Sequence, residues 1–98
     1  MLELAILGLL KERSMHGYQL KKRLSETLGP LWGISFGSLY PALQRLEHRG
    51  WVESDWQPSE NNRRARYYSL TKLGRKALGE EVDKWKRFAD TMTLILES

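Results

Sequence analysis

Apolar residues recur along this chain first at helical spacing, then at strand spacing, then at heptad spacing, and the order of the three patterns predicts its architecture. Leu2, Ala5, Ile6, Leu9 and Leu10 follow a helical period, with Leu4 and Leu7 filling in around them. They predict a first helix that is covered on most sides and ends near Lys11 to Arg13. Ser14 stands where it can cap a second helix running through His16, Gly17 and Tyr18 to Leu28. Leu20, Leu24 and Leu28 form its buried stripe, Lys21, Lys22 and Arg23 its outer face, and Gly29-Pro30 stops it. From Leu31 to Ile34 no period is visible, and Trp32 is expected to tuck beneath the helices.

The third helical pattern is the most informative. Leu39, Leu43 and Leu46, with Ala42 beside them, make one apolar stripe, while Ser35, Ser38, Gln44, Arg45, Glu47, His48 and Arg49 occupy the opposite face. Ser35 suits the N-cap, with the helix starting at about Phe36 and Gly50 following its C-cap. Gly37 and Ser38 keep the first turn short-chained, so its backbone N–H groups stay open to an anion such as a phosphate. Pro41 lies early enough in the helix for its missing N–H to cost little.

Beyond Gly50 the period changes. Trp51, Glu53 and Asp55 alternate with Val52, Ser54 and Trp56, and Arg66 to Leu70 is again aromatic and apolar, so both segments read as strands. Gln57 to Asn62 joins them as a turn whose asparagines tolerate positive φ. Thr71 then caps a last helix from Lys72 to about Leu96. In it Val82, Trp85, Ala89, Met92 and Leu96 recur at alternating threes and fours, flanked by Phe88 and Ile95. A stripe of that length exceeds what a small domain can cover. It packs either against the same helix of a second copy or back across the chain's own first helix. In the first case Leu2 and Ile6 are expected to join Val82, Trp85, Phe88, Ala89, Met92, Ile95 and Leu96 at the interface.

Composition sharpens this picture. The chain has 98 residues, 41% hydrophobic and 29% charged, which suits one folded unit. With no cysteine it has neither disulfides nor thiolate metal sites. Its first apolar run is short and interrupted by Glu3, so neither a signal peptide nor a membrane span is expected, and the cytoplasm is the expected location. The net charge of +4 is unevenly placed: residues 1–76 hold 13 Lys/Arg against 7 Asp/Glu, and residues 77–98 hold 3 against 5. Charge of this kind suits nucleic acid, an anionic membrane or an acidic protein. From Asn62 to Lys76 there are six basic residues and no acid, three of them Arg63, Arg64 and Arg66 on the hairpin. Arginines on a hairpin beside a helix with a polar face fit a phosphate backbone, although a hairpin tip can also be basic merely for solubility.

Enzymatic chemistry finds little support. His16 and His48 stand on different elements, no glycine-rich phosphate loop is present, and no metal-binding cluster or cofactor is indicated. The division expected is a winged helix-turn-helix over residues 1–76 and a dimerisation helix over 77–98, in a mainly α chain with a two-stranded β wing.

The ordered motifs Leu7-Gly8-Leu9-Leu10, His16-Gly17-Tyr18-Gln19-Leu20, Gly37 through Glu47, Gly50 and Arg66 through Gly74 resemble the PadR family of bacterial winged-helix transcription regulators. The resemblance covers Leu2 to about Glu81. It implies a homodimeric repressor of double-stranded DNA whose third helix enters the major groove and whose wing reaches the flanking minor groove or backbone. By position, Ser35, Ser38, Tyr40 and Arg45 belong to the recognition helix, Tyr18 can touch phosphate, and Arg63, Arg64 and Arg66 lie on the wing. Tyr40 reads equally as half core or as phosphate donor. The chain departs from the family in having Asn61-Asn62 where the wing is often glycine-rich, and a single C-terminal helix rather than a larger helical domain. In some small members a tryptophan on that helix lines a cavity for flat hydrophobic compounds. Trp85 falls at the matching place, where it serves either as ligand contact or as plain interface core. The alternative function is a winged helix that binds another protein instead of DNA.

Overall fold

A computed structural model describes residues 1–98. The elements follow as α1 (Leu2–Leu10), β1 (Met15–His16), α2 (Gly17–Thr27), α3 (Phe36–His48), β2 (Val52–Pro58), β3 (Arg64–Leu70) and α4 (Lys72–Glu97). The apolar stripes meet as their spacing requires: Ile6, Leu7 and Leu10 of α1, Leu20 and Leu24 of α2, and Leu39, Leu43 and Leu46 of α3 are all fully buried. Each such side chain contributes roughly 1.5–3 kcal/mol through removal from water. Val52, Tyr68 and Leu70 close the core from the sheet, and Ala77 and Leu78 close it from α4.

The helix ends are set by specific hydrogen bonds. Ser35 caps α3 by accepting from the Ser38 N–H at 3.3 Å, and Thr71 caps α4 by accepting from the Gly74 N–H at 2.9 Å. Gly50 follows the C-cap of α3 at φ 76°, a conformation that β-carbon-bearing residues rarely adopt. The cap of α2 differs from the expectation. Ser14 is exposed and makes no cap; His16 Nδ1 instead accepts from the Gln19 N–H at 3.2 Å, while Gln19 Oε1 accepts from the His16 N–H at 3.1 Å. This reciprocal pair is a capping box built on an imidazole.

The sheet is three-stranded and antiparallel in the order β1-β3-β2, where two strands were expected. The wing hairpin itself is two-stranded, with Val52 opposite Leu70 and Pro58 opposite Arg64. Met15 and His16 add the third strand by pairing with Tyr68 and Tyr67, which ties the start of α2 to the wing's return strand. Two residues are too few to show an alternating pattern. Trp32 is also placed differently from the expectation: it is 41% exposed, and the adjacent Leu31 is exposed as well. The link there is closed by backbone bonds, with the Trp32 N–H donating to the Leu28 carbonyl at 2.7 Å.

α4 runs unbroken across the expected boundary at residue 76 and changes surroundings along its length. Gly74, Ala77 and Leu78 are buried and Val82 packs against the core, whereas Trp85, Phe88, Met92, Ile95 and Leu96 are exposed. Its 26 residues span about 39 Å and give the molecule a long axis of 55 Å. No helix is long and apolar enough to cross a membrane.

Candidate nucleic-acid interface

With Leu39, Ala42, Leu43 and Leu46 committed to the core, helical geometry turns Gly37, Pro41, Gln44 and His48 outward, and all four are exposed. Pro41 forgoes one backbone bond on this face, where water can serve the carbonyl it leaves. The two flanks of the outward row are held by other elements. On one side the Arg45 Nε donates to Glu3 Oε1 at 3.0 Å, binding the helix to the first turn of α1, and the Arg49 guanidinium lies 5.1 Å from the Trp51 ring centre. On the other side the Ser54 hydroxyl donates to Glu47 Oε2 at 2.9 Å. The Arg66 Nε in turn donates to Ser54 Oγ at 2.8 Å, with Arg66 Nη2 3.6 Å from Glu47. Arg66 therefore braces the wing against α3 rather than standing free.

The N-terminal turn of α3 carries aromatic rings. Tyr40 stacks on Phe36 with centroids 5.7 Å apart, Phe36 lies 6.1 Å from Tyr18, and Lys21 Nζ sits 5.2 Å from the Phe36 ring centre. The Tyr40 hydroxyl lies over Gly17, where a β-carbon would come within 2.4 Å of it. Only glycine at position 17 permits this approach. Tyr40 is 45% exposed, so its ring is packed on one side and open on the other, which accommodates both readings of this residue. Ser35 and Ser38 use their hydroxyls on each other's turn, Ser38 Oγ donating to the Ser35 carbonyl at 3.0 Å.

Alternation along the wing puts Ser54, Trp56 and Pro58 of β2 on the same face as Arg64, Arg66 and Tyr68 of β3. That face and the start of α2 and α3 enclose a groove of about 730 Å³ lined by Tyr18, Tyr40, Trp56, Arg63, Arg64 and Arg66 among others. Its one acidic lining residue, Glu60, lies 3.6 Å from His16 Nε2. The wing tip turns at Asn62, with φ 60°, and Ser59 closes it by donating its N–H and its hydroxyl to the Arg63 carbonyl at 2.8 and 2.7 Å. The asparagine pair thus supplies the left-handed residue that glycine provides in other turns. At the base of the groove, burial raises the Tyr68 phenol above its ordinary pKa; the Glu47 carboxylate adds to the rise and Arg66 opposes it.

The groove gathers Tyr18, Tyr40, Arg63, Arg64 and Arg66, while Ser35, Gly37 and Ser38 stand at the α3 N-terminus, and Arg45 on the flank facing α1. Trp56 and Glu47 were not singled out from the sequence. For Trp56 a signal exists, since the inner-face alternation of β2 continues past the core. For Glu47 none does, because its partners come from two strands 7 and 19 residues away.

A second surface lies along α4. Trp85, Phe88, Met92, Ile95 and Leu96 are exposed along α4, Ala89 is half-buried among them, and Val82 is packed onto the core. Leu2 and Ile6 do not join this surface as expected: both are buried in the chain's own core, Ile6 completely, with α1 packed against α4, α3, α2 and β3. Met1 and, from α1, Glu3, Leu4 and Leu7 border the stripe, and with Trp51, Trp85 and Phe88 they line a cavity of about 540 Å³.

Comparison with known proteins places these features in a family. Residues 6–80 match the family model described as the transcriptional regulator PadR-like family. The negative transcriptional regulator PadR of Bacillus subtilis is 26% identical over 91 residues, and the match spans 93% of this chain and 50% of that protein. Among solved structures, a PadR-like transcriptional regulator from Bacillus cereus superposes with a TM-score of 0.87 at 27% identity, covering 99% of this chain and 92% of that one. Bacillus subtilis PadR in complex with operator DNA gives a TM-score of 0.74 at 28% identity, over 84% of this chain and 46% of that one. The chain thus spans about half the length of Bacillus subtilis PadR and nearly all of the Bacillus cereus protein.

Proposed function

Because the chain belongs to the PadR-like family of transcriptional regulators, we propose that it is a cytoplasmic homodimeric repressor that binds a pseudo-palindromic operator in double-stranded DNA. The observation that carries this reading is the groove between the wing and the start of α3, where three arginines and four aromatic side chains converge around a single acid, Glu60, which lies 3.6 Å from His16. Such a surface suits a phosphate backbone: the guanidinium groups supply charge and the aromatic edges and hydroxyls supply packing and hydrogen bonds. With the backbone held there, α3 lies beside the wing in position for the major groove. Tyr18, Ser35, Gly37, Ser38 and Tyr40 would meet phosphates around its N-terminal turns, Arg63 and Arg64 at the wing, and Arg45 at the flank after leaving Glu3.

Two copies of α3 reach successive major grooves only if two chains associate. The exposed stripe of α4 supports that association, since a helix with Trp85, Phe88, Met92, Ile95 and Leu96 uncovered leaves a large apolar surface in water. The repressor role rests on the negative regulation named for the Bacillus subtilis relative. A small hydrophobic effector has a place to bind beside Trp85, in the cavity shared with Trp51 and Phe88.

The test is binding to duplex DNA at a series of salt concentrations. Affinity should fall linearly on a log–log scale with a slope of about 0.9 per phosphate contact, and Arg63→Ala with Arg64→Ala should lower that slope by about two. A slope near zero, unchanged in the double variant, would favour the protein-binding alternative.

A further inference from the structure

The outward row of α3 carries few unengaged hydrogen-bonding groups, and that scarcity restricts what it can read. Gly37, Pro41, Gln44 and His48 follow one another at helical spacing on the exposed face. Gly37 has no side chain, and the Pro41 ring offers only apolar surface. The neighbouring polar residues are occupied: Ser38 by the Ser35 carbonyl, Arg45 by Glu3, and Glu47 by Ser54 and Arg66. Gln44 and His48 remain, and Gln44 stands near the middle of the helix, whereas His48 is its last residue.

Each base edge in the major groove asks for different chemistry. Guanine presents two acceptors and is matched by the paired donors of arginine; adenine presents an acceptor at N7 beside a donor at N6, and thymine adds a methyl group. A carboxamide has one donor group next to one acceptor, which fits adenine and leaves guanine half-satisfied. Pro41 lies one turn before Gln44 on the same exposed face, so its apolar ring is offered beside the carboxamide.

On the reading that α3 enters the major groove, on which this rests, we propose that Gln44 selects an adenine in each half-site and that Pro41 packs on an adjacent thymine methyl. The pairs under the centre of α3 are then A·T. Arg45, although the obvious candidate for guanine, serves the flank.

The experiment starts from duplexes selected out of a random pool by the purified wild-type protein. Within the selected half-site, replacing the contacted adenine by 7-deazaadenine should weaken wild-type binding about tenfold, and replacing the adjacent thymine by deoxyuridine should weaken it about fourfold. The Gln44→Ala variant, whose exposed position leaves folding intact by circular dichroism, should bind the parent site about tenfold more weakly and ignore the 7-deaza change. The inference is overturned if site-specific binding persists with wild-type indifference to 7-deazaadenine. It is also overturned if the α3 positions select guanine and that preference disappears in Arg45→Ala rather than Gln44→Ala. Failure to bind any duplex would instead remove the DNA-binding reading, and this inference with it.

Discussion

Arg45 on α3 and Glu3 on α1 form an ion pair across 42 residues of sequence, the guanidinium donating through both Nε and Nη2 to one carboxylate oxygen. Arg45 is about half exposed, so the pair is worth less than about 1 kcal/mol, and its importance is positional. Glu3 also lines the cavity beside Trp85 and Phe88, so a single carboxylate touches both the flank of the DNA-facing helix and the border of the α4 stripe.

Replacing Glu3 by Gln keeps the shape of that contact and removes its charge. Thermal stability should change by no more than a few degrees, whereas affinity for non-specific duplex DNA should rise, with the salt slope steeper by about one. The complementary Arg45→Ala change should weaken specific and non-specific complexes by the same factor, since a flank arginine contacts phosphate rather than bases. Anisotropy titrations on the two DNA types at several ionic strengths measure both.

Glu47 gives a test with opposing contributions. Removing a carboxylate beside DNA raises the local positive potential and, by electrostatics alone, should strengthen binding. Glu47→Ala also releases Ser54 and Arg66, which brace the wing against α3. We expect the second effect to dominate: specific affinity falls several-fold while non-specific affinity holds or rises, at a stability cost of about 1 kcal/mol. Tighter specific binding would mean that the wing needs no brace.

The raised Tyr68 phenol sets an alkaline limit on stability. Its folded pKa lies above the unfolded value because burial, reinforced by Glu47, penalises the phenolate. Between the two values the native state therefore holds more protons than the unfolded one, and stability declines as pH rises through that window, above about 10. Below it the contribution is fully present. Tyr68→Phe should leave neutral stability within about 1 kcal/mol and should flatten the alkaline decline in denaturation midpoints.

The features that were legible in the sequence share one property: each is written in contiguous residues. The α3 stripe, the Ser35 and Thr71 caps, the Gly50 stop and the hairpin all depend on neighbours within a few positions, and all are found, with the hairpin strands running on to Pro58 and back to Arg64, two residues further on each side than read. His16 misled because imidazoles seldom cap helices, and Ser14 offered the commoner chemistry two positions earlier. The β1 strand depends wholly on Tyr67 and Tyr68, 51 and 53 residues beyond their partners, and carries no local period. At the candidate site, the arginines and tyrosines were legible as types; that Arg66 braces the wing depends on Glu47 and Ser54 meeting it across three elements. The place of Leu2 and Ile6 is not legible, because α1 is apolar nearly all round and pattern alone does not say which side packs on the core and which on a partner.

The α4 stripe decides whether the proposed DNA-binding unit is one chain or two. Trp85 and Met92 are 43% and 41% exposed and stand seven residues apart, one heptad along the same face. Placing a carboxylate at both positions leaves the core untouched, because buried packing along α4 ends near Val82. In a dimer built on this stripe, the Trp85→Glu, Met92→Glu variant would bury charge without partners, a cost of several kcal/mol per chain and enough to dissociate it. Its sedimentation coefficient should fall to the monomer value with helical content preserved, and affinity for a two-fold operator should collapse while binding to a single half-site remains weak and unchanged. A variant that sediments as a dimer together with the wild type would place the subunit contact on another face.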